Sequence, residues 1–159
     1  MKTEQLQIRV SAEQKARIKA LAKQAGMSVS EWVLGEVLSA EASEFEDLVG
    51  SIPYDPVYAF AALNEFLFAL SKSKFSEVTH NKPRIKLSEF EINYLCGMLE
   101  TAAEQKGVRV PDWLGDVEPL SVPYFGSSLE NLKLHLLLNS PPAFKSRNIF
   151  IDSSVGDRV

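Results

Sequence analysis

The sequence predicts a mainly α-helical chain: a strand-helix-helix head that pairs with a second copy, then a small, mostly helical second domain with a short C-terminal strand. Three observations carry this. Residues 5–10 alternate polar and apolar without a fault, two capped helical repeats follow directly, and further helical periodicities recur between turn residues to the end. The expected division is a strand-helix-helix head at 1–40, an acidic linker with an apolar helix at 41–83, and a helical domain at 84–159.

The first element is Gln5-Leu6-Gln7-Ile8-Arg9-Val10. Period 2 puts Leu6, Ile8 and Val10 on one face of a strand and Gln5, Gln7 and Arg9 on the other. Ser11 then caps a helix, with Gln14 completing a capping box, and Ile18, Leu21, Ala22 and Ala25 fall at helical spacing. Gly26 stops that helix as a left-handed residue would. Ser28 and Glu31 form a second box, opening a helix that buries Val29, Trp32, Val33 and Val37.

A lone strand leaves its backbone N–H and C=O groups unpaired, and two short helices cannot cover it. A symmetry mate supplies the missing partner, giving an antiparallel ribbon whose core is Leu6, Ile8, Val10, Ile18, Leu21, Trp32, Val33 and Val37 from each copy. The outer face then presents Gln5, Gln7 and Arg9 to the major groove, where Gln matches adenine and Arg matches guanine. The alternative is that these three residues are merely the wet face of an ordinary strand. The two capped helices behind them favour the DNA reading.

On these residues the segment resembles the ribbon-helix-helix family of Arc and MetJ repressors, over about a quarter of the chain. The resemblance implies base contacts from Gln5, Gln7 and Arg9 and a phosphate contact at Ser28 and Val29. The last also follows from the free N–H groups and dipole of a helix N-terminus. The chain departs from a minimal repressor by continuing for over a hundred residues.

Charge is distributed to match. The net charge of −4 conceals a head at +2, with six basic against four acidic residues in 1–40, whereas 41–75 holds two against six and the remainder nine against eleven. Only the head has the sign that attracts phosphate. Lys15, Arg17, Lys19 and Lys23 are solvated charges that could also flank a site.

Beyond the head, residues 39–56 read as a helix tail and turn, and residues 57–70 as a helix apolar around much of its circumference, to be buried by the second domain, a dimer mate or another protein. Residues 72–83 read as a flexible connection. Ser88 and Glu91 cap a helix reaching Gly107, residues 111–114 and 119–124 are loop, and Ser127 and Glu130 cap a leucine-rich helix. A turn and short strand close the chain. The stretches 124–132 and 140–150 are similar to C-terminal segments of bacterial proteins that partner nucleotidyltransferase-like proteins, although Lys145 and Arg147 fit a structural role as well.

The lone Cys96 and two separated histidines give no metal-ligand spacing, and no metal or cofactor is expected. His135 and Cys96 read as structural rather than catalytic, so no enzyme is expected. Without a signal-like start or a run of roughly 18 apolar residues, a cytoplasmic protein with no membrane partner is the expectation. The layout resembles that of type II antitoxins: an autorepressor binding double-stranded operator DNA as a homodimer, with a C-terminal part that neutralises a toxin. The competing expectation is a transcription factor whose second domain senses a small molecule.

Overall fold

A computed structural model describes residues 7–37 and 40–152. The chain divides into two compact units, Met1–Ala40 and Glu41–Val159, here the head and the body.

In the head, α1 (Ala12–Gln24) and α2 (Val29–Val37) form with the expected signals. The Ser11 hydroxyl accepts from the Gln14 N–H at 3.1 Å while the Gln14 side chain accepts from the Ser11 N–H at 2.9 Å. Gly26 takes φ +67, and the turn closes through Met27 N–H to Ala22 O at 3.0 Å and Gly26 N–H to Lys23 O at 3.2 Å. Ser28 and Glu31 exchange the same reciprocal bonds at 3.2 and 3.0 Å.

Among the described residues, the predicted strand does not form in the single chain. Gln7, Ile8, Arg9 and Val10 lie in neither helix nor strand, and Gln5 and Leu6 fall outside the described residues. A strand exists through its ladder of hydrogen bonds, and among the described residues this chain offers residues 7–10 no partner.

The body is built around α6 (Glu89–Lys106), whose start carries the reciprocal Ser88–Glu91 box and whose end is set by Gly107 at φ +63. Its buried residues Leu95, Cys96, Leu99 and Ala103 meet Phe45 and Val49 of α3 (Ala40–Ser51), Leu63 and Leu67 of α4 (Pro56–Ala69), and Phe75 of α5 (Lys72–Val78) in one core. Three expectations are corrected here. Residues 41–83 are not a linker beside a separate domain at 84–159, because both contribute to this core. The stretch read as helix tail and turn holds a packed helix of the core, α3, before the expected turn at 52–54. The stretch read as a flexible connection contains α5, because Phe75 and Val78 are withdrawn from solvent among its polar neighbours.

The apolar α4 is covered within the body along Ala59, Leu63, Phe66 and Leu67, while Val57 and Tyr58 stay exposed. Asp55 caps its start, and Lys106 donates to the Phe68 and Leu70 carbonyls at its end, at 2.9 and 2.6 Å. After a 3-10 turn at Asp112–Asp116, β1 (Tyr124–Phe125) pairs in parallel with β2 (Ile149–Phe150), Tyr124 opposite Ile149. Tyr124 was expected in a loop. A two-residue strand becomes one through a partner far along the chain, which local pattern does not reveal.

Between these strands lie α7 (Glu130–Asn139) and α8 (Pro142–Ser146). The expected Ser127–Glu130 box does not form. Leu129 occupies the cap position, and the Ser127 hydroxyl accepts from the Leu129 N–H instead. Arg147 is buried, paired with Glu100 and donating to the Val117 and Leu114 carbonyls at 2.7 and 3.0 Å, so it holds α6, the 3-10 turn and the α8–β2 corner together.

Candidate nucleic-acid interface

In the head, the polar residues expected to read bases are on the surface. Gln7 and Arg9 are exposed; Gln5 lies outside the described residues. Several of the apolar residues expected in the dimer core are on the surface too. Ile8 is 59% and Val10 41% exposed, Leu21 stands open at 36%, and Ile18, Trp32 and Val33 are half-buried. Leu6 and the Val37 side chain lie outside the description. Among the described head residues Ala22 alone is buried.

Such a segment has almost no interior of its own. At roughly 25 cal/mol per Å² of apolar surface, the stabilisation that would offset chain ordering is missing until these side chains are covered. In the single chain the described residues expected in a dimer core are therefore left largely uncovered.

The phosphate-contact expectation needs adjustment. The Ser28 N–H is held by the Glu31 carboxylate and the Glu31 N–H by the Ser28 hydroxyl. Val29 and Ser30 are the positions whose N–H groups form no hydrogen bond among the described residues. Ser30 was missed by the sequence reading, although a capping box itself implies that its first N–H is occupied. The same bonds from Ser28 hold the Glu31 carboxyl below its ordinary value. An anion at this helix start would gain from two N–H groups and the dipole, against a neighbouring carboxylate.

None of Arg9, Lys15, Arg17, Lys19 and Lys23 forms an ion pair among the described residues. Their charge is free to face a polyanion. In the body, burial pushes the Cys96 thiol up to about 11, which makes it a poor nucleophile. His135, read as a structural histidine, is half-exposed on α7, with Nε2 3.8 Å from the Asp152 carboxylate. With Tyr94, Tyr124 and Leu132 these two line an open pocket of about 420 Å³. No helix among the described residues is long and apolar enough to cross a membrane.

The model of the NikA-like family, described as mobilization protein NikA, matches residues 1–49. No curated protein and no solved structure matches the chain.

Proposed function

We propose that this chain is a homodimeric DNA-binding protein whose head, completed by a second copy, reads a double-stranded site through Gln5, Gln7 and Arg9. NikA is a ribbon-helix-helix DNA-binding protein, and the family match falls on the segment read that way from its own residues. The observation that carries the reading is the exposure of Ile8, Val10 and Leu21 around two well-capped helices. Helices this carefully terminated, with their apolar side chains uncovered, are half of an assembly. Pairing residues 5–10 of two copies covers those side chains and turns the amide and guanidinium groups outward.

The role served by the bound site takes one of two forms. In the first, suggested by the family description, the protein marks a DNA site for mobilization and the body engages other components. In the second, the antitoxin layout, the head represses its own operon and the body neutralises a toxin. Exposed Val57 and Tyr58 on α4 and Leu134 and Leu138 on α7 are apolar surface fit for a protein partner in either case.

Selection of bound sequences from a random duplex pool tests the DNA reading. The expected result is a two-fold symmetric site, for which Arg9→Ala costs about 1–3 kcal/mol and relaxes preference at its base. Enrichment of no sequence, or Arg9→Ala binding as well as the parent, contradicts it. Co-purification with the products of neighbouring genes separates the two roles.

A further inference from the structure

Between Glu77 and Glu89 the body carries no acidic residue, yet in this span Lys82, Arg84 and Lys86 fall at every second position. The body as a whole, from residue 41 on, holds eleven basic against seventeen acidic residues. Three cations in five positions are therefore an exception to their surroundings.

The burial pattern of this α5–α6 connection is alternating as well. Pro83 is buried, and Ile85 and Leu87 are half-buried against the core, whereas Lys82, Arg84 and Lys86 are exposed. Every apolar residue of the strap is thus an anchor, and every intervening one presents a cation. Both ends are pinned. At one, the Thr79 carbonyl accepts from the Trp113 indole N–H at 3.0 Å; at the other, Ser88 and Glu91 exchange the capping bonds of α6.

None of the three cations forms an ion pair or hydrogen bond among the described residues. Like charges held side by side without counter-charges repel, a cost that an external polyanion would remove. Successive cations are separated by two residues, at most about 7 Å of chain. That interval is comparable to the spacing of successive phosphates along a nucleic-acid strand, and long Lys and Arg side chains can adjust to the remainder.

We propose that residues 82–86 form a second DNA contact, in which Lys82, Arg84 and Lys86 bind consecutive phosphates of a duplex. The contact is to the backbone and carries no base information. It rests on the head reading only in taking DNA as the polyanion. Ile85 and Leu87 turn inward, so the strap lacks the apolar side chains that would enter a bilayer beside its cations. Tethered to a head already on DNA, even a weak backbone contact gains from effective concentration.

The test uses the full chain and its Lys82→Gln/Arg84→Gln/Lys86→Gln variant, titrated onto a long mixed-sequence duplex across a salt series. Each lost phosphate contact lowers the salt slope by about 0.9, so three contacts lower it by about 2.7 per chain. Across about 50 to 200 mM salt, that is a change of about 40-fold per chain in how steeply affinity falls. The exposed positions leave thermal unfolding of the variant unchanged, which separates lost contact from lost fold. An unchanged slope overturns the proposal. So does an unchanged slope with loss of binding to phosphatidylglycerol vesicles, which assigns the strap to a lipid surface. Because mixed-sequence binding is the readout, failure of the strap is distinct from failure of the head, which shows as absent sequence preference.

Discussion

Phe45, Val49, Leu63, Phe75, Leu95 and Leu99 of the body are all within 1% of complete burial, whereas in the head Ile8, Val10, Leu21, Met27 and Val29 range from 36% to 59% exposed. Both regions have well-formed helices that open on side-chain caps, α1 and α2 in the head and α4, α5 and α6 in the body. What separates them is the availability of apolar neighbours: in the body α3, α4, α5, α8 and β2 share one core with α6, whereas among its described residues the head has two helices and a segment without a ladder. Local signals suffice to start and stop helices. Stability requires an interior, which the described head residues do not build alone and which a second chain supplies in the proposed dimer.

The largest expected break in this contrast is Ile8→Asp. It places a charge on the face meant to be covered in both copies, so sedimentation should show a monomer and DNA affinity should be lost, with the body's unfolding unaffected. A variant that remains dimeric would mean that the copies do not associate through residues 5–10. Next is Phe45→Ala. If α3 belongs to the body's core, calorimetry should record a loss of about 3–5 kcal/mol, whereas a true linker would tolerate the change. Gly26→Ala comes third. Its φ of +67 with open space around it limits the cost to the backbone, about 1 kcal/mol, felt in the head and not in the body.

The smallest effect is a pH dependence. The Glu31 carboxyl is held below its ordinary value by its bonds from Ser28, so its contribution is present above the unfolded-state pKa. It is lost as pH falls through the folded-state value. Acid titration of head helicity should show this loss, and Glu31→Gln should flatten it.

The legible parts of the sequence were those encoded within a few residues. The Ser11–Gln14, Ser28–Glu31 and Ser88–Glu91 boxes and the stops at Gly26 and Gly107 all form as their spacing requires. What escaped depends on distant partners. Phe75 makes a helix of an otherwise polar stretch by reaching the core, Tyr124 becomes a strand through Ile149, and Arg147 is buried because Glu100 lies 47 positions away to meet it. The Ser127–Glu130 pattern failed although its spacing was correct, because Leu129 took the cap position. At the candidate interface, residue types were legible from alternation, while the occupation of the Ser28 N–H by its own helix's carboxylate emerged only with the geometry.

Isotope-filtered NMR on an equimolar mixture of labelled and unlabelled full-length chains addresses the pairing of residues 5–10 most directly. The account predicts contacts between the Ile8 and Val10 side chains of one copy and the same segment of the other, with backbone bonding across the two. A monomer whose residues 5–10 pair with a later part of their own chain, or make no contact at all, would contradict it.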